Sequence, residues 1–388
     1  MQQNKHCLKF YFKGITLIEL MLVLMIIAVV GMAITGRIIS GIEKAKLLAA
    51  GRQLVSHIRL AQERAKLEQR NITVELSAEN ETYKIYQAGL SFDGSGDVVT
   101  VSDSTSLKIT GDLTVEFWIK PTNIVAGRQN IVDKAYGGEF AFTQETNGSI
   151  SFYYGTCGGR CTPYQGFGSG ANSAVQNEWH HFALVRNLTS MMLYWYKDGS
   201  QIASTSASYA SATASSYNVT IGYGDTGIYY NGFISEVRIY NRALTQEEIQ
   251  YSYTYKKPQN RAGLVGWWKL DEGQGSTCYD SSGYGNNGTI TGATWSQGVL
   301  GYLKDPAKGY QGINYDFDNL SEFKGVKIYS VDFDGTTITN SSKFSFDSSG
   351  RPKVGTENLS ANGTIVLTCG SHNLTITVHR ITGEVTME

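Results

Sequence analysis

A single carboxylate, Glu19, stands inside an otherwise apolar run from Ile15 to Ile34. Holding a charge at bilayer depth costs about 2.5–3.5 kcal/mol on insertion scales. The acid therefore reads as functional, and it calls for a cation from outside its own helix. Cys157 and Cys161, in Cys-Gly-Gly-Arg-Cys, read as a small disulfide loop in a compartment outside the cytoplasm. Two free thiols, or half of a zinc site, are the alternatives, although no second Cys or His pair follows at ligand spacing. Cys7 precedes the apolar run, and Cys278 and Cys369 fall in different predicted domains, where pairing is not expected. Tyr153, Tyr154, Tyr164, Phe167, Tyr229 and Tyr230 lie near Gly-rich turns. Aromatic faces of this kind stack on sugars or anchor protein contacts; ordinary core packing is the competing reading. No Gly-rich phosphate loop precedes a helix, and no Ser-His-Asp arrangement is evident. A net charge of −1 gives no electrostatic case for nucleic acid.

The elements that must position these residues follow from hydrophobic spacing. About twenty apolar residues after Gly14 suit a membrane-spanning helix. Lys5, Lys9 and Lys13 flank one side, and Arg37, Lys44, Lys46 and Arg52 the other, so charge alone does not set its orientation. Leu47, Ala50, Leu54, Ile58, Ala61 and Ala65 then recur at intervals of three and four, the stripe of an amphipathic helix. The helix should run unbroken from Ile15 to about Leu67, about 80 Å at 1.5 Å per residue. Gly31, Gly36 and Gly41 lie within it, either to let it bend or melt or to allow close packing in lipid. Asn71–Leu76 and Thr82–Tyr86 read as two strands joined by a polar turn. The sheet they begin is unfinished at Tyr86, and alternating segments that could complete it appear only from about Asn314. Between them lies a stretch of short alternating strands and Asp-Gly or Gly-rich turns, the pattern of a β-sandwich. At 388 residues, with 24 Tyr, 43 Gly and 17% charged residues, the chain fits β-rich extracellular modules and more than one domain.

The segment Lys13-Gly14-Ile15-Thr16-Leu17-Ile18-Glu19-Leu20 resembles the processing and assembly signal of type IV pilins and type II secretion pseudopilins. The resemblance implies cleavage by a prepilin peptidase between Gly14 and Ile15 and N-methylation of Ile15. It also implies that Glu19 meets the N-terminal ammonium of a neighbouring subunit during assembly. A secretory signal cut near Gly31-Met32-Ala33, or a plain signal anchor, would explain neither Glu19 nor the glycine before the apolar run. Phe346-Asp-Ser-Ser-Gly-Arg-Pro352 and Thr382-Gly-Glu-Val385 are similar to the C-terminal half of the H-type minor pseudopilins.

The central stretch is similar to the laminin G-like, concanavalin A-type jelly roll. Leu113-Thr-Val-Glu-Phe-Trp-Ile-Lys, Glu178-Trp-His-His-Phe, Leu193-Tyr-Trp-Tyr-Lys-Asp-Gly and Gly232-Phe-Ile-Ser-Glu-Val-Arg carry that likeness. Gly263-Leu-Val-Gly-Trp-Trp normally opens such a domain and here closes it, so the module reads as circularly permuted rather than as two truncated copies. In relatives the loop corresponding to Asp280–Gly288 often holds Ca²⁺. The resemblance thus offers Asp280 and Asn287 as calcium ligands, with a turn in which Asp280 caps its own backbone as the alternative. Ser235 stands where relatives add an Asp. Glucanases of this fold need paired carboxylates on one strand face. Glu116 and Glu236 are isolated acids here, read as solvated or salt-bridged, and one of His180 and His181 should pack while the other faces solvent. No enzyme activity is expected.

The fold class is therefore an α+β pilin, a long N-terminal helix packed on an antiparallel sheet, with an inserted all-β jelly-roll sandwich. The domains are a leader (1–14), helix and first pilin strands (15–88), the jelly roll (89–298) and the remaining pilin β-domain (299–388). The expected role is a minor pilin or pseudopilin subunit of a pilus-like or type II secretion filament, displaying a glycan- or ligand-binding module for adhesion. Its partners would be other pilin subunits, the prepilin peptidase, the inner membrane and a carbohydrate or surface-protein ligand. It would cross the inner membrane once, with the globular part outside the cytoplasm, and be extracellular in filaments. No cofactor is required, with Ca²⁺ as an option. A surface anchor that never polymerises and a tethered glycan-active enzyme are the alternatives.

Overall fold

The computed structural model describes residues 16–125, 127–224, 227–296, 302–306, 311–333, 336–338, 341–355 and 357–388. The expected cleavage and methylation sites, Gly14 and Ile15, lie outside the described residues.

One helix, Leu17–Glu68, runs for 52 residues without interruption, about 78 Å at the standard rise. Gly31, Gly36 and Gly41 do not break it, and a side chain added at any of them would meet nothing within 4 Å. Its start is fixed by a capping box: Glu19 N–H donates to the Thr16 hydroxyl, and Thr16 N–H donates to the Glu19 carboxylate at 2.9 Å. Glu19 thus has donors at the head of its own helix, where the sequence reading looked only outside it. From Leu17 to Val30 every residue is exposed. The lower half carries the stripe. Leu47, Ala50, Leu54, Ile58, Ala61 and Ala65 are all buried, each large one worth about 1.5–3 kcal/mol on burial.

The stripe packs on two antiparallel sheets rather than the single one expected. One has the order Asn314–Asp316, Thr82–Tyr86, Ile72–Ser77, Ser341–Phe346, Pro352–Val354, Glu357–Asn358. The other has the order Thr336–Ile338, Lys327–Phe333, Gly363–Cys369, His372–Val378, Val385–Met387. Val74 pairs with Phe344 and Tyr83 with Tyr315, so strands from either side of the central stretch form one sheet. One apolar core contains Leu54, Ile58, Val74, Ile85, Phe317, Ile365 and Ile376 together. This host domain is therefore built from both ends of the described chain. The helix meets the second sheet closely at Gly51, where a Cβ would come within 2.2 Å of Leu374.

Between Gly89–Asp93 and Thr294–Ser296 the chain forms a two-sheet sandwich. One sheet runs Ser200–Ser206, Met192–Lys197, His180–Asn187, Leu113–Pro121, Asn231–Tyr240, Gly89–Asp93, Thr294–Ser296, with Leu264–Trp268 beside Asn231–Tyr240. The second runs Thr277–Cys278, Gly288–Thr291, Val98–Val101, Val219–Ile221, Gln129–Asp133, Ala141–Gln144, Ile150–Gly155, Tyr164–Gly168. Phe92, Phe117, Phe142, Phe152, Trp195 and Ile234 fill the space between them. The last strands pair with the first: Trp295 with Leu90, and Ile290 with Val99. The two ends of the sandwich therefore lie side by side, as insertion into a host loop requires. A short helix, Gln246–Tyr255, covers the outer face of the first sheet through Ile249, with Leu244 just before its N-cap in the same cluster.

Host and sandwich are joined by polar contacts, exposed at the helix C-terminus and buried around Arg70. Lys257 and Lys269 donate to the carbonyls of Leu67 and Gln69 at the helix C-terminus, where cations are favoured. Arg70, wholly buried, donates to the Ser235 hydroxyl at 3.0 Å and lies 3.3 Å from Glu236 and 3.7 Å from Asp271. Asn71 donates twice to Asp271, at 3.0 and 2.9 Å. A bulge between Ser235 and Arg238 lets two consecutive residues, Ser235 and Glu236, face Arg70, which a regular strand would send to opposite sides.

Candidate functional site: an aromatic cleft on the second sheet

Four strands of the second sheet, Gln129–Asp133, Ala141–Gln144, Ile150–Gly155 and Tyr164–Gly168, alternate large core residues with outward polar or aromatic ones. Phe142 pairs with Phe152, and Phe152 with Phe167, toward the core; Ala141 pairs with Tyr153, and Tyr153 with Gly166, on the opposite face. Small residues thus flank Tyr153. A Cβ at Gly166 would stand 2.9 Å from the Tyr153 ring, so only glycine lets the ring lie down there. The result is a cleft of about 170 Å³ lined by Arg128, Asn130, Asp133, Tyr136, Ala141, Thr143, Tyr153 and Tyr164.

Tyr164 meets Tyr136 edge-on (centroids 5.0 Å, 82°) and Tyr153 at 68° (5.9 Å). The Arg128 guanidinium lies over Tyr153, 5.7 Å from the ring centre, and donates to Glu145 at 2.8 Å. Glu145 also accepts from Thr143 and Tyr153. Burial pushes the Glu145 carboxyl up, but the bonds from Arg128 and Thr143 outweigh it and hold the group below the usual carboxylate range. Burial and the Glu145 charge push the Tyr153 phenol up, so it stays protonated. Asp133, buried, faces the Arg160 guanidinium at 3.9 Å. Asn130 donates to the Ile228 carbonyl at 3.0 Å.

Arg160 belongs to the loop closed by a disulfide between Cys157 and Cys161. That loop sits on the turn carrying Tyr136: Cys157 and Gly158 N–H donate to the Gly137 carbonyl, and Gly137 N–H donates to Gly159. A Cβ at Gly137 would lie 2.0 Å from the Cys161 carbonyl.

Of the aromatic residues singled out from sequence, Tyr153 and Tyr164 line this cleft. Tyr154 and Tyr230 are core residues, Phe167 packs against the core, and Tyr229 stacks on Tyr223 at 4.4 Å. Tyr136 was missed, although the Gly137-Gly138 turn beside it is the same signal that marked the others. Asp280 Oδ1 accepts from Trp267 and Ser282 N–H, its Oδ2 from Asn286 N–H and the Ser282 hydroxyl, and Asn287 Oδ1 from Asp280 N–H. Two donors from Ser282 and one from Asn286, with Trp267 N–H from the neighbouring strand, thus meet the two Asp280 oxygens. Among the described residues no three His, Cys, Asp or Glu side chains converge as a metal site. The Ser235 hydroxyl accepts from Arg70 at 3.0 Å. Cys278 and Cys369 are both free and buried.

Glu116 and Glu236 are neither solvated nor separate. Arg238 bridges them, donating to Glu116 at 3.4 Å and to Glu236, which also accepts from the Trp267 indole at 2.9 Å. Both acids are shut off from solvent, at 0 and 1% exposure. Burial, opposed by Arg238, pushes Glu116 up to about 7. His181, 3.6 Å from Glu116, is fully buried and is pushed down to about 3 by burial and by Arg238. His180 is only part-buried and bonds Asp198 at 2.8 Å. A pair of carboxylates held about an arginine and closed to solvent offers a substrate no access.

Residues 93–250 match the family model of the concanavalin A-like lectin/glucanases superfamily. The inserted sandwich is a concanavalin A-like jelly roll. Among solved structures, a candidate carbohydrate-binding protein from Bacteroides ovatus is similar at 15% identity and TM-score 0.43, covering 56% of this chain and 68% of its own. A heptameric SAP-like pentraxin from Limulus polyphemus is similar at 13% identity and TM-score 0.34, over 58% and 95%. The sialidase CBM40 of Ruminococcus gnavus, bound to α2,3-sialyllactose, is similar at 14% and 0.32, over 42% and 96%. No curated protein matches the chain in sequence.

Proposed function

We propose that this chain is a non-enzymatic, pilin-like subunit that presents a glycan-binding jelly roll. It would be cut between Gly14 and Ile15, methylated at Ile15, held in the membrane by the bare apolar half of its helix, and drawn into a filament of like subunits. The observation that carries the binding half is the cleft: three tyrosines and hydrogen-bonding side chains gathered on the outer face of the second sheet. The anchoring half is supported by one helix whose residues 17–30 are exposed and, but for Glu19, apolar, while its lower stripe is buried in the host core. Filament incorporation is tested by Glu19→Val. Cleavage should persist while the amount in sheared filaments falls; equal incorporation would overturn the polymerising role. One observation favours the surface-anchor alternative: Glu19 already has a partner in Thr16, so a role confined to helix capping accounts for the acid without assembly.

A further inference from the structure

The geometry points to a single neutral sugar residue, presented at a chain end, as the group the cleft takes; this deepens the glycan-binding reading and rests on it. Three observations bear on the ligand's class. Charge comes first: each cation near the cleft is matched by a carboxylate, Arg128 by Glu145 at 2.8 Å and Arg160 by Asp133 at 3.9 Å. An acidic sugar would have to displace Glu145 from Arg128 while facing Asp133. A basic sugar would have to displace Arg128 from Glu145 or Arg160 from Asp133 to reach a carboxylate. A neutral sugar disturbs neither pair, and its hydroxyls can donate to carboxylate oxygens and accept from guanidinium N–H.

Shape comes second. Tyr164 stands at a steep angle to both Tyr136 and Tyr153, so the three rings form walls rather than one coplanar platform. A long polysaccharide laid flat needs rings in register along one plane, whereas a three-walled recess grips one ring. The volume agrees, since about 170 Å³ falls short of the ~300–1,000 Å³ of pockets that enclose drug-sized ligands. Fixation of the walls comes third. Gly166 is needed for the Tyr153 pose, and the disulfide loop seats both the Tyr136 turn and Arg160, so the recess exists before any ligand arrives.

The test is titration calorimetry on the detergent-solubilised full chain. The probes are neutral oligosaccharides of increasing length (lactose, arabinobiose and arabinotriose, cellobiose and cellotriose) and the acidic sialyllactose and oligogalacturonates. A neutral probe is expected to bind, with affinity that levels off after the first one or two units and changes less than twofold between 0.05 and 0.5 M salt. Tyr164→Ala, on an exposed edge strand, and Tyr153→Ala are each expected to weaken it at least tenfold, while Tyr329→Ala in the host leaves it unchanged. Unfolding midpoints of the variants separate lost binding from lost folding. Binding of acidic probes alone, steeply salt-dependent and lost in Arg128→Ala, would overturn the neutral assignment and leave glycan binding standing. Affinity that climbs with every added unit would overturn end recognition. Binding that survives both tyrosine variants would move the site elsewhere. No binding by any probe would remove the glycan reading altogether.

Discussion

Arg70 is the residue on which the mounting of the jelly roll turns. It is wholly buried and reaches Ser235, Glu236 and Asp271, all of them in the inserted sandwich. Removing one member of a buried ionic cluster leaves its partners charged and desolvated, at a cost of about 3–5 kcal/mol. Arg70→Ala should lower stability by that order in chemical denaturation, and Arg70→Lys should recover only part of it, because an ammonium cannot span three acceptors with a planar fork. Glu272 lines the cleft between host and sandwich beside Asp271, and burial pushes both carboxyls up. Burial, with the Asp271 charge added, pushes the Glu272 carboxyl up to about 8 from 4.5. An acid that holds its proton more tightly when folded contributes full stability below its unfolded value and loses that contribution as pH rises through the folded one. Between about pH 4.5 and 8 the unfolding midpoint should therefore fall more in the native chain than in Glu272→Gln; parallel curves would show that Glu272 is not the group responsible. None of this was legible in the sequence. Pairing across two hundred residues, from Arg70 to Asp271, leaves no local spacing to read.

The elements were more legible than the residues. The stripe from Leu47 to Ala65 repeats at three and four, and a helix with that face has one way to bury it. The strands that close the host sheet across the insertion were visible as alternation, and the sandwich as short strands between glycine turns. Two sheets under the helix, where one was expected, were not legible, since alternation gives a strand's faces but not its neighbours. Gly51 was likewise passed over, while Gly31, Gly36 and Gly41 drew attention. A Cβ at Gly51 would fall 2.2 Å from Leu374 and 3.0 Å from Met387, while the other three face open space. Gly51→Leu should destabilise the detergent-solubilised chain by about 1–3 kcal/mol through overpacking, and Gly36→Ala should not lower the midpoint at all. The Cys157–Cys161 loop belongs to this scale as well. Replacing both cysteines by serine should loosen the Tyr136 wall and weaken glycan binding several-fold, with little change in the unfolding midpoint of the host domain.

At the scale of the molecule, a jelly roll stands at the end of a rod, fixed to it by the helix C-terminus, Arg70 and Asn71. Such a joint would transmit a pull on a bound glycan directly to the helix, which suits a module displayed from a filament. The proposed filament role depends on the rod being released from its leader and joined to like rods. Mass spectrometry of the mature N-terminus tests this most directly, because it reads cutting and methylation together. The chain purified from cells should begin at Ile15 and carry one added methyl group on its amino nitrogen. A chain that retains residues 1–14, or one that begins after Ala33, would contradict the filament account and leave a tethered or released sugar-binding domain.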